Sequence, residues 1–143
     1  MKPQELMIGD FVKFTDKYGD DCICKVIGIT EDNEFFLRDM KNGEDIEALS
    51  KNEEKFIQPL EITEEFLEKN GFVKDKENAG RDVYVNKTHP DVIKVFFFTI
   101  GTLIKVERMF RTHSKTVHSP DSPYIHQLQQ MCRLCGIEKD WKI

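Results

Sequence analysis

The chain has 143 residues, 39% of them apolar and 33% charged, which suits one ordinary domain or two small modules and leads us to expect a soluble globular protein. Its longest apolar run, Val95 to Ile100, is far shorter than the roughly 20 residues of a membrane-spanning helix, and Met1-Lys2-Pro3-Gln4-Glu5 lacks the apolar core of a secretory signal, so a cytoplasmic setting with reduced thiols is expected. Residues 1 to 62 hold 8 Lys/Arg against 15 Asp/Glu, whereas residues 63 to 143 hold 13 against 11, so the first part repels a phosphate backbone and the second does not.

In chain order, Asp10 to Phe14 is short and strand-like, and Asp16-Lys17-Tyr18-Gly19-Asp20 after it is rich in turn formers. Cys22 to Ile29 is rich in β-branched residues and predicts a longer strand, with a reversal at Glu31-Asp32-Asn33. Glu34 to Arg38 predicts a third strand, Asn42-Gly43 a hairpin because both residues tolerate positive φ, Asp45 to Leu49 a fourth strand and Phe56 to Gln58 a last one. Five short antiparallel strands at close spacing predict a small barrel over residues 1 to 60. Phe11, Phe14, Phe35 and Phe36 are assigned to its core, and Tyr18, in a turn, to its surface as a contact residue.

The joint at Gln58-Pro59-Leu60-Glu61-Ile62-Thr63 opens a different composition. Thr63 to Phe72 reads as a complete short helix, with Thr63 as N-cap, Glu64 and Glu65 in the first turn and Gly71 as a left-handed stop. Strands are predicted at 72 to 74, 82 to 85, 92 to 98 and 103 to 110, broken at 78 to 80, 88 to 91 and Gly101. A closing helix is placed from Ser122-Pro123, with Leu128, Met131, Cys132 and Cys135 as its apolar stripe. Residues 61 to 143 are thus expected to form an α+β module of order αββββα, with a meander sheet under two helices. The fold class of the whole is α+β.

Leu6-Met7-Ile8-Gly9-Asp10-Phe11-Val12 at the start, Pro59-Leu60-Glu61-Ile62-Thr63-Glu64-Glu65 running on to Lys69-Asn70-Gly71-Phe72 at the joint, and Tyr124-Ile125-His126-Gln127-Leu128-Gln129 at the end form three anchors. In these the chain resembles a group of small uncharacterised proteins of Bacteroidales genomes and their phages or mobile elements. The resemblance implies a bacterial or phage cytoplasmic setting and two modules, and no activity. Gln130 stands where that group usually has Asn, and Cys132 and Cys135 stand where it has aromatic or aliphatic residues.

Cys22-x-Cys24 and Cys132-x-x-Cys135 formally supply four thiolates for zinc, but the first pair sits on a strand and the second in a helix stripe, so small apolar packing is the preferred role. His126, Gln127 and Gln130 mark the start of the last helix, where backbone N–H groups favour an anion, and Lys105, Arg108, Arg111, Lys115, His113 and His118 are candidates to complete a phosphate or nucleic-acid surface. Hydrogen bonding of His126 and Gln127 to nearby backbone is the structural alternative. No nucleophile lies beside a base, and no cofactor motif occurs. The expected function is therefore non-enzymatic protein binding as an adaptor. Nucleic-acid binding through residues 105 to 118 is the alternative, and a small hydrolase or nuclease centred on His126 is the third.

Overall fold

The computed structural model describes residues 5–32, 34–48, 56–76, 82–88, 91–98, 101–108, 111–118 and 124–143. The chain divides into two compact units, Met1–Leu60 and Glu61–Ile143. The architecture is α+β, built of antiparallel sheet with two helices.

In the first unit β1 (Phe11–Thr15), β2 (Asp21–Ile29), β3 (Phe35–Asp39), β4 (Asp45–Ala48) and β5 (Ile57–Pro59) form one sheet in the order β4-β3-β2-β1-β5. Among the described residues no ladder joins β4 to β5, so the expected barrel is seen here as a five-stranded sheet. Its strands alternate as a half-buried sheet requires: Val12 and Phe14, Cys24 and Val26, Phe35 and Leu37, with Leu6 and Ile57, make one apolar cluster. Phe11 is also buried but falls outside that cluster.

The turns of this unit are held by its own acids. Asp10 is wholly buried and its carboxylate accepts the Met7 N–H at 2.8 Å, while Gly9 takes a φ of 94°. Asp16 Oδ1 accepts the N–H groups of Tyr18 at 2.8 Å and Asp20 at 2.9 Å. In the Asn42-Gly43 hairpin Asn42 Oδ1 accepts the Glu44 N–H at 2.9 Å and Gly43 has φ 75°, so the turn is a wider loop than the two-residue type its dipeptide favours.

The second unit begins with α1 (Glu64–Lys69) and continues with β6 (Val73–Lys74), β7 (Asp82–Thr88), β8 (Asp91–Phe98), β9 (Gly101–Arg108) and β10 (Arg111–His118), a meander in the order β10-β9-β8-β7-β6, before α2 (Ile125–Leu134). This is αβββββα, one strand more than expected. Seven of the eight residues of β10 are polar, Val117 being the exception, and they lack apolar alternation, so pairing with β9, which no pattern within the segment announces, makes them a strand.

Both helices end in the same way. After α1 the Phe72 N–H bonds to Leu67 O and the Gly71 N–H to Glu68 O, each at 3.0 Å, with Gly71 at φ 78°. After α2 the Ile137 N–H bonds to Cys132 O and the Gly136 N–H to Arg133 O, each at 2.9 Å, with Gly136 at φ 73°. These are paired left-handed caps that satisfy otherwise orphaned carbonyls. Thr63 Oγ1 accepts the Phe66 N–H at 3.2 Å, as an N-cap does. α2 starts two residues later than the expected Ser122-Pro123, which lie outside the described residues; its N-cap is Tyr124.

Asn70 joins the pieces of this unit. It is buried, its Nδ2 donates to Phe66 O at 2.8 Å and to Lys142 O at 2.7 Å, and its Oδ1 accepts the Lys142 N–H at 2.9 Å. Asn86 Nδ2 in turn donates to Asn70 O at 3.0 Å, tying the end of α1 to β7. Trp141 stacks on Phe66 at 5.8 Å and on Phe72 at 6.5 Å, so the last residues of the chain lie against α1. No described helix is long and apolar enough to cross a membrane.

Candidate functional site

The two faces of the second sheet differ. Along β8, Ile93 and Val95 are fully buried, and the neighbouring strands match them with buried Tyr84, Asn86 and Ile104. The bond from Asn86 to Asn70 puts α1 on this face. Tyr84 meets Phe97 edge to face at 5.8 Å, and burial and a hydrogen bond with Glu64 hold its phenol above the usual range. Strand alternation then sends Val92, Lys94, Phe96 and Phe98 to the opposite face.

On that face an open cleft of about 750 Å³ is lined by Lys76, Lys87 and Lys94, with Asp75 as its acid and Val73, Val85 and Val92 as apolar floor; Lys74 borders it, but its ladder partner is Tyr84, so its side chain belongs to the opposite face. These three lysines come from the turn after β6, from β7 and from β8, and the ladders set the last two on one face: Val73 pairs with Val85, Val85 with Lys94 and Lys87 with Val92. Lys94 also stands opposite Lys105 of β9. Lys74 is bonded to Asp82 at 2.8 Å, which pushes its ammonium pKa up, and it lies over the Tyr84 ring at 5.9 Å. Lys76 and Lys87 are exposed; Lys94 and Lys105 are half-buried.

The residues singled out from sequence are distributed otherwise than expected. Lys105 follows buried Ile104 and belongs to the lysine face beside Lys94. Arg108 and Arg111 are register partners at adjoining ends of β9 and β10, and Asp91 stands opposite Arg108; the side chains of both arginines lie outside the described part of the structure, as do those of His113, Lys115 and His118. His126 is buried and stacks on Tyr124 at 5.8 Å, and its Nδ1 makes no hydrogen bond to a described group. Gln127 is occupied locally: its Oε1 accepts the Tyr124 N–H at 2.9 Å. Gln130 is half-buried, and it is Gln129, not singled out, that is fully enclosed. The start of α2 is thus built from buried and capping groups.

Tyr18 is 78% exposed, with the Lys17 ammonium 5.0 Å above its ring. Ile23 and Met40, 39% and 40% exposed, are neighbours on the same unit, where the Met40 N–H bonds to Ile23 O at 2.9 Å.

The cysteines are all thiols. Cys22 Sγ lies 3.5 Å from Cys24 Sγ, and burial pushes both thiols above their ordinary range. Burial also pushes Cys132 up to about 12, while Cys135 serves as the C-cap of α2. Raised thiols are poor nucleophiles and poor ligands. Among the described residues no three His, Cys, Asp or Glu groups converge as a metal site would require.

The lysines at 74, 76, 87 and 94 escaped the sequence reading because they are scattered over 21 positions of the chain. The available signal was the alternation Val92-x-Lys94-x-Phe96-x-Phe98, which puts a cation and two aromatics on one side of a strand whose other side is wholly apolar. Compared with protein-family models, with curated proteins and with solved structures, the chain matches none of them.

Proposed function

We propose that this chain is a non-enzymatic nucleic-acid-binding accessory protein whose second unit holds a phosphate backbone in the lysine cleft. The observation that carries this reading is that Lys76, Lys87 and Lys94 line one open cleft, with Lys105 opposite Lys94. Ammonium groups on flexible stems suit repeated phosphates, which they meet as point charges without reading sequence. The face is basic although the chain as a whole carries −5, so its field is local and short-ranged at physiological salt. No cofactor enters this reading. The bacterial or mobile-element setting belongs to it through the three sequence anchors alone, and the closure of the first sheet into a small barrel through its one-sided core.

The test is fluorescence anisotropy of a labelled mixed-sequence oligonucleotide against the full chain over a range of KCl. Affinity is expected to fall with salt at a log–log slope of about −0.7 per phosphate held on a single strand. Lys87→Gln with Lys94→Gln should weaken binding roughly tenfold or more and flatten that slope by about 1. Binding that ignores both salt and these lysines, or no binding, ends the proposal.

A second reading is favoured by a separate observation: the contiguous exposed pair Ile23 and Met40 on the acidic first unit, with Tyr18 exposed on the same unit, suits a protein partner and an adaptor role. Capture of a partner that is lost with Ile23→Ser and Met40→Ser, yet unaffected by nuclease and by the lysine changes, would establish it.

A further inference from the structure

We infer that Asn42 is a site of spontaneous covalent modification, converted by its own chain to aspartate and isoaspartate, while the fold holds Asn70 against the same reaction. This goes beyond the proposed function and does not depend on it. The chain runs Lys41-Asn42-Gly43 and Lys69-Asn70-Gly71, so one tripeptide occurs twice and its intrinsic chemistry is the same in both places. The reaction is attack by the glycine nitrogen on the asparagine Cγ, which glycine favours because it has no Cβ to crowd the approach. The glycine N–H gives its proton to hydroxide, the N–Cγ bond forms, the Cγ–Nδ2 bond breaks, and Nδ2 takes a proton from water and leaves as ammonia. Water then opens the cyclic imide at either carbonyl. One opening gives aspartate, the other an isoaspartate whose main chain is longer by a methylene. Nothing is oxidised or reduced, and water is the co-reactant.

The two sites differ in what must open before the attack. Asn42 lies in the turn between β3 and β4, where Lys41 to Asp45 are all exposed. Its amide is held from within the turn, with Oδ1 accepting the Glu44 N–H at 2.9 Å and Nδ2 donating to the Glu44 carboxylate at 3.1 Å. The first of these bonds favours the reaction, because attack turns Oδ1 into an oxyanion that the Glu44 N–H already faces. The Gly43 N–H donates to Asp39 O at 2.9 Å, a brake that an exposed turn releases by local opening. At Asn70, 4% exposed, the same amide is committed across its unit: Nδ2 donates to Phe66 O and Lys142 O, and Oδ1 accepts the Lys142 N–H. Expelling Nδ2 there breaks two short bonds of a buried group, so the reaction waits until the Trp141-Lys142 segment parts from α1. The product at position 42 adds a carboxylate to a turn that already holds Glu44 and Asp45, two residues from Met40 of the exposed apolar pair. The charge and backbone spacing of that surface therefore change with the age of the molecule.

The experiment keeps the full chain in warm, mildly alkaline buffer, with samples taken over weeks and digested with pepsin at low pH, where the glycine nitrogen keeps its proton. Peptides are weighed, and isoaspartate is counted with an isoaspartyl methyltransferase. The Asn42 peptide is expected to gain about 1 Da as a mixture of both products, and the Asn70 peptide to react at least about a hundredfold more slowly. In urea that unfolds the chain the two should react at closely similar rates. Gly43→Ala, at φ 75° with open space around the new methyl group, should slow Asn42 at least about tenfold, in buffer and in urea alike. A folded chain in which Asn70 reacts as fast as Asn42 overturns the inference, as does an Asn42 that stays intact while the unfolded chain reacts at both places. An unchanged rate in Gly43→Ala in urea, where loss of the turn plays no part, overturns the route through the glycine nitrogen.

Discussion

The two units use charge in opposite ways. In the acidic first unit the carboxylates are local wiring: Asp10 and Asp16 accept backbone N–H groups within a few residues, Asp21 pairs with Thr15 at 2.6 Å and Lys13 at 3.3 Å, and Asp45 with Arg38 at 2.7 Å. Part of its charge of about −7 is thus turn chemistry. In the second unit both described helices end on glycines, one of them beside a buried asparagine, and Lys76, Lys87 and Lys94 line a cleft. A charge that holds a turn and a charge that faces a groove look alike in composition, and only the partner of each tells them apart.

That contrast can be broken most strongly at Asn70. Its side chain links α1 to the Trp141-Lys142 segment through buried bonds, so Asn70→Ala should cost about 3 kcal/mol, read as a lower urea midpoint of Trp141 fluorescence. No exposed carboxylate of the first unit should come near that effect. Next come the caps. Gly71→Ala should cost about 1 to 2 kcal/mol because its φ of 78° is left-handed and Asn86 Nδ2 would lie 3.5 Å from the new methyl group. Gly136→Ala, at φ 73° with open space around it, should cost about 1 kcal/mol from conformation alone, measured in the same way.

Alkaline pH probes both units through their buried thiols. Cys132 is raised from 9.0 to about 12 in the folded state, so folding keeps a proton that the unfolded chain releases. The stability it contributes is complete below pH 9 and declines as pH rises from 9 towards 12, by about 1 kcal/mol per pH unit. Urea midpoints of the second unit should fall less steeply over that range in Cys132→Ala. Cys24, raised in the same direction by burial, should give the first unit a matching decline. The smallest effect belongs to the exposed pair Arg38–Asp45, where Asp45→Ala should leave the first unit's circular-dichroism melting midpoint unchanged within error. A clear drop there would mean that the acidic wiring carries stability of its own and would narrow the difference between the units.

Much of the fold was legible in the chain. The strands at Phe11–Thr15, Asp21–Ile29 and Phe35–Asp39 fall where alternation and turn residues place them, and α1 sits between the Thr63 cap and the Gly71 stop that its sequence shows. β10 was not legible, because Arg111 to His118 has no apolar period and becomes a strand only through β9. The site was less legible still. Of the residues singled out beforehand, Lys105 joins the lysine face, whereas Gln127 caps its own helix and His126 is buried against Tyr124.

By itself the sequence determined the features whose physics closes within about five residues: the N-cap at Thr63, the left-handed stop at Gly71, the Asn42 turn and the alternation that gives each strand two faces. The tertiary structure decided which faces met. A strand's side chains alternate with period two, but the ladder register places Lys94 opposite Lys105 and Val85 and beside Lys87, in a cleft that Lys76 also lines. That register depends on which face the core buries, a property of all five strands together, and so the cleft exists only once they have paired.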